Sequence, residues 1–163
     1  MEPSLTHLTL KRLVLRLAKN EFLAPEDRSV VKDVVYALIL DTETVEDVNE
    51  KLKGQVRLEA DMVYLMGVYR DLKNEFTYEL EEEEGHVLLD TPRRNDDGYK
   101  TSAKELKAHS VTNPEVAVKR RRLASVTSLY ESLQLLWKIV FARNEKLEQL
   151  SVNYRKELKA DER

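Results

Sequence analysis

Cysteine is absent from this sequence, and glycine and proline are scarce at four residues each. The lack of cysteine excludes disulfides, thiolate metal sites and cysteine nucleophiles, and nothing points to an oxidising compartment, so a cytoplasmic location is expected. Histidine is also rare. His7, His86 and His109 lie far apart and in no metal-ligand spacing, so no metal site is expected. There is no glycine-rich phosphate loop, no nucleophile elbow and no H-E-x-x-H. With no paired acid, base or nucleophile at usable spacing, a protein that is not an enzyme and carries no cofactor is expected.

Long apolar runs are missing too. "VVYALIL" and "LQLLWKIVFA" fall well short of the roughly 20 residues a membrane helix needs, so no membrane partner is expected. The first residues carry Glu2 and no continuous apolar stretch, which does not resemble a secretory signal.

What the 163 residues do contain is helical periodicity. The few glycines and prolines fall where helices would start or stop, which predicts an all-α protein. Leu10, Leu13, Val14 and Leu17 give one face of a first helix, with a short strand through Leu13, Leu15 and Leu17 as the alternative. Pro25, Glu26 and Asp27 open a second, because proline lacks an N–H that would be unpaired there and the acids suit the positive helix end. These two form a small N-terminal pair over residues 1–42.

Residues 43–163 then read as a long antiparallel helical hairpin. Its first arm runs from about Thr44 to near Gly85, with Val45, Val48, Leu52, Val56, Met62, Leu65, Met66, Tyr69, Leu72, Phe76 and Leu80 spaced by threes and fours. Gly54 and Gly67 lie inside it, where they bend the helix or allow close packing. Residues 85–101 read as a loop, in which a short β-hairpin turning at Asp96, Asp97 and Gly98 would fit. A short helix from Ser102 to about Ser110 follows. Asn113, Pro114 and Glu115 then open a coiled-coil-like C-terminal helix. Its seam is read as Val116, Leu123, Val126, Tyr130, Leu133, Trp137, Val140, Leu147, Tyr154 and Leu158, with Lys119, Asn144 and Ser151 at equivalent places. Leu129, Leu136, Ile139 and Phe141 widen the stripe, so this helix needs more than one neighbour, either the preceding long helix or copies of itself. Tyr130, Leu133, Trp137, Val140, Asn144 and Leu147 are the candidate oligomerisation residues. Asn144 is either a register device or part of a wet, frayed seam.

Charge is unevenly distributed. Residues 1–100 hold 14 basic and 22 acidic residues, a net of -8, whereas residues 101–163 hold 13 and 8, a net of +5. Such asymmetry marks either a face for polyanions or an internally neutralised assembly. The basic part includes "KRRR", Lys119 to Arg122, and the acidic part includes Glu81 to Glu84 at the far end of the other long helix. One reading is mutual neutralisation of the two runs, within or between chains. The other starts from geometry: four successive helical positions sweep about 300°, so the four cations cannot all face one acidic strip. With Arg93, Arg94, Lys100, Lys104 and Lys107 they would follow a phosphate backbone, and Tyr99 would stack on a base.

The order of elements resembles a known family. "RLEADMVYLMGVYRDLKNEF", a polar loop, the basic "YKTSAKELKAHSV", a P-E-V helix start and "SLYESLQLLWKIVFARNEKLEQLS" together resemble the UvsY-type recombination mediators of tailed bacteriophages, over roughly residues 56–155. The resemblance implies a non-enzymatic homo-oligomer that binds single-stranded DNA and helps a RecA-like recombinase displace a single-strand binding protein, in the host cell's cytoplasm if phage-encoded. Family members carry a basic motif on the first long helix. The corresponding place here reads "VYRDL", with Tyr69, Arg70 and Asp71, a departure from that motif, while Lys100, Lys104 and Lys107 match the basic segment after the loop. The competing expectation is a helical structural or adaptor protein that acts through self-assembly or partner-helix binding.

Overall fold

The computed structural model describes residues 7–39, 45–93, 98 and 100–161. Among these it has five helices and no strand: α1 (His7–Ala18), α2 (Pro25–Ile39), α3 (Val45–Asp90), α4 (Ala103–Thr112) and α5 (Pro114–Asp161). None is long and apolar enough to cross a membrane. Of the residues expected to turn a β-hairpin, Asp96 and Asp97 lie outside the described set, while Gly98 is described and has a positive φ. The strand alternative for the first segment does not occur, because Leu10, Leu13 and Leu17 are all buried at the three- and four-residue steps of a helix.

Helix ends follow local chemistry. Asn113 closes α4 by donating its N–H to the His109 carbonyl, and its side-chain oxygen accepts from Glu115 N at 2.8 Å and Val116 N at 3.2 Å to open α5. Ser102 and Glu105 form a reciprocal capping box at the start of α4. The hydrogen bond from the Ser102 N–H holds the Glu105 carboxyl below its ordinary pKa. Gly85 does not end α3 as expected. The helix continues to Asp90, because only a glycine turned into the left-handed region caps a helix, and Gly98 alone among the described glycines has a positive φ. The stop comes at Thr91, whose N–H and hydroxyl both donate to the Val87 carbonyl, directly before Pro92.

The chain packs as two compact units, Met1–Val68 with Leu129–Arg163, and Tyr69–Ser128. The division falls inside α3 and α5. In the first unit α1 packs on α2, and the core includes Leu17, Leu23, Val34, Val48, Met62, Leu65, Leu129, Leu133, Leu136 and Val140, each with almost no exposure. Burying a side chain of this size contributes about 1.5–3 kcal/mol relative to leaving it exposed. Gln55 lies in this core and donates to the Val140 carbonyl at 3.1 Å, while its own Oε1 is buried with no partner among the described residues.

Both long-helix stripes keep most of their expected residues and depart from the sequence reading at single places, with Val48, Met62, Leu65, Tyr69 and Phe76 of α3 buried as expected. On α3 the buried series is Val48, Gln55, Met62, Leu65, Tyr69 and Phe76, so Gln55 takes the interior place and Val56 is 73% exposed. On α5 the expected seam residues Val116, Val126, Leu133, Val140, Leu147 and Ser151 are buried, joined by Leu129, Ser132 and Leu136. Tyr130, Trp137 and Asn144 are half-buried flanking residues, and the Asn144 amide donates to Glu148 across the surface. Of the candidate oligomerisation residues, Leu133, Val140 and Leu147 are therefore consumed inside one chain, and a second copy cannot reach them while they stay there. Tyr130, Trp137 and Asn144 keep partial exposure.

Candidate nucleic-acid interface

Every described cation of the expected nucleic-acid surface belongs to the second unit, Tyr69–Ser128. Arg94 and Tyr99 lie outside the described residues. The segment between α3 and α4 is tied at its base, where the Thr101 N–H donates to the Arg93 carbonyl at 2.9 Å and the Thr101 hydroxyl to the Pro92 carbonyl at 2.5 Å. This clamp holds Arg93 and Lys100 on short, anchored ends. Lys104 and Lys107 follow on α4, three residues apart and therefore on neighbouring positions of one helix face. All four are exposed.

The KRRR run divides into two pairs. Lys119 reaches Glu83 at 2.8 Å and also donates to the Glu79 carbonyl at 3.3 Å. Arg120 grips Glu84 through Nε at 3.1 Å and Nη2 at 2.5 Å, and Nη2 also donates to the buried Ser110 hydroxyl at 3.4 Å, tying α4 to α5. The hydrogen bond from Lys119 holds the Glu83 carboxyl below its ordinary pKa, and the same bond raises Lys119. Lys119 and Arg120 therefore satisfy the neutralisation reading. They also answer why α3 tolerates carboxylates near its negative end: two of the four glutamates receive cations from α5.

Arg121 and Arg122 do not join that arrangement. Neither has a carboxylate partner among the described residues, and both are exposed. Arg122 lies over the Phe76 ring with its guanidinium carbon 5.2 Å from the ring centroid. Such stacking fixes the guanidinium plane while leaving N–H groups at its edge to meet an oxyanion. The helical sweep carries Arg121 round α5, whereas Arg122 returns to within about 60° of Lys119 and meets Phe76 on α3 in place of a carboxylate.

Arg93, Lys100, Lys104 and Lys107 likewise have no ion pair among the described residues. The unit therefore offers six unneutralised cations on three chain segments, the connection before α4, α4 itself and the first turns of α5. Such a set can neutralise phosphates. Among the described residues no group of three or more His, Asp or Glu side chains is arranged to hold a metal. The sequence reading missed the Arg122–Phe76 contact, since 46 residues separate the partners in sequence and no short-range pattern signals it. No protein-family model, no curated protein and no solved structure matches this chain.

Proposed function

We propose that this protein is a non-enzymatic, oligomeric single-stranded DNA-binding accessory factor of recombination that helps load a RecA-like recombinase, with α3 and α5 acting as an antiparallel hairpin whose C-terminal arm has coiled-coil character. The observation that carries the reading is the division of the KRRR run: Arg121 and Arg122 stay clear of the acidic run while Lys119 and Arg120 neutralise it. Exposed Arg93, Lys100, Lys104 and Lys107 extend the cationic surface within the same unit. The resemblance of residues 56–155 to UvsY-type mediators supplies the recombination context. The mechanism is electrostatic: side-chain cations neutralise phosphates, and repetition across subunits supplies avidity without a deep site in any one chain.

Fluorescence anisotropy with labelled single- and double-stranded oligonucleotides over a salt series tests this. Binding that favours the single strand and weakens steeply with salt supports it, and a flat salt response refutes it. The runner-up reading, a structural or adaptor protein, draws on apolar side chains left exposed on α3, with Val56 at 73%, Val63 at 61% and Tyr64 at 60% exposure. Under that reading the four-alanine variant of Lys119 to Arg122 loses assembled mass by light scattering, and neither form binds DNA.

A further inference from the structure

The buried stripe of α5 steps through Leu129, Leu133, Leu136, Val140 and Leu147, and the same three-and-four spacing places Arg143 between the last two. Leucine would serve there. A guanidinium at this place stays charged at any physiological pH, and burial pushes its pKa down from the ordinary arginine value. A partly desolvated charge is ordinarily answered by a carboxylate or by several hydrogen bonds. Arg143 has no such partner among the described residues.

The answer is not a shortage of acids. Arg143 lines a cavity of about 560 Å³ in the first unit, and carboxylates from α2 and α3 line it as well. Asp61 is used by Arg57, at 4.0 Å. Asp47 and Lys51 are engaged in contacts of their own. That leaves Asp33 on α2 and Glu50 on α3, both exposed at the rim and neither with an ion pair or hydrogen bond among the described residues. The cavity thus carries one unanswered cation and two unanswered carboxylates that do not meet one another. Between them the wall is aliphatic at Ala37 and Leu58 and bare at Gly54.

We infer that this cavity binds a small zwitterion, with an acid group on the Arg143 fork, an ammonium group at Asp33 and Glu50, and a short aliphatic span along Ala37 and Leu58. Opposite charges on one wall select a ligand that carries both. A guanidinium suits a carboxylate in two-point contact, whereas an ammonium suits acceptor-only carboxylates. With charges of both signs on its wall, this site differs from the second unit's surface of cations without ion pairs. The volume falls within the roughly 300–1,000 Å³ of small-molecule sites.

The test uses the full chain, isotopically labelled, with the Arg143 side-chain N–H followed by NMR during titration with unbranched amino acids from glycine to aminooctanoate, and with L-lysine. Hexanoate, hexylammonium and inorganic phosphate are the single-charge and anion controls. At least one zwitterion is expected to saturate the signal at least about tenfold more tightly than either single-charge analogue. Binding is expected to weaken by about tenfold or more in Asp33→Asn/Glu50→Gln, and backbone signals around the cavity should no longer respond in Arg143→Met. Methionine retains most of the arginine stem's bulk, and circular dichroism confirms that each variant keeps its helices. The inference is overturned if no zwitterion saturates below about 10 mM, if hexanoate or phosphate binds as tightly as the best zwitterion, or if a folded Arg143→Met variant binds unchanged.

Discussion

Replacing Arg121 and Arg122 together by alanine separates the two halves of the KRRR run. Each cation that neutralises a phosphate of a single strand contributes about 0.7 to the slope of log affinity against log salt. If both contact phosphate, the double variant loses about 1.4 from that slope, which amounts to an affinity loss of roughly 25-fold at 0.1 M salt relative to 1 M. The comparison variant removes Lys119 and Arg120 together with Glu83 and Glu84, so that cations and carboxylates leave in equal number. Because those cations are held at 2.8 Å and 2.5 Å by their carboxylates, they release no counterions when DNA arrives, and this variant should keep the parental slope. The assay is anisotropy at five or more salt concentrations for each protein, with circular dichroism to show that α5 is intact. Equal slope losses in the two variants would refute the reasoning, because the division of the run into paired and free halves would then have no bearing on DNA.

Three further outcomes follow from packing and pairing. Leu133→Ala, at a fully buried place on α5, should cost about 2–5 kcal/mol in chemical denaturation, whereas Leu135→Ala, at 48% exposure, should cost far less. Gly67→Ala should stabilise the protein by up to about 1 kcal/mol, since Gly67 is helical and nothing lies within 4 Å of an added Cβ; destabilisation would reveal a close approach by something other than this chain. The Lys119–Glu83 contact has two pH limits. Glu83 is lowered from 4.5, so its contribution is complete above that pH and is lost as pH falls through the folded value; Lys119 is raised from 10.5, so its contribution is complete below that pH and is lost as pH rises through the folded value. The stability difference between the parent and Lys119→Ala should therefore be constant from pH 6 to 9 and shrink below about pH 4, measured by denaturation across that range.

The helices were legible in the sequence because their signals are local. Pro25 with Glu26 and Asp27, and Asn113 with Pro114, each act within one helical turn, and α2 and α5 begin at those prolines. The rotational phase of the long helices was harder to read. On α5 Val126, Leu133, Val140 and Leu147 are buried as read, but between them Tyr130 and Trp137 look as apolar as Leu129 and Leu136, and packing buries the leucines. On α3 the reading followed Val56 because glutamine is polar, yet Gln55 continues the seven-residue series of Val48 and Met62. The cations themselves were visible, and so was the sweep that divides them. Which two would find glutamates depends on contacts between residues 36 apart and follows from no local rule.

Gln55 and Arg143 carry the same lesson, since both interrupt a buried apolar series in the first unit. A polar side chain at such a place has a cost that leucine would avoid, so it persists for specificity, for structure or for a ligand. Gln55 has a structural use: its amide holds the Val140 carbonyl across to α5, although its own oxygen is left unanswered. Arg143 has no such bond among the described residues, and the space in front of it is bounded by carboxylates that stop short of it. The period of the helix places Gln55 in the interior and Arg143 at its half-buried edge only once its phase is known. The distinction between a polar residue that joins two helices and one that faces an open cavity then comes from the hydrogen bonds, and it is this distinction that directs the ligand search to Arg143.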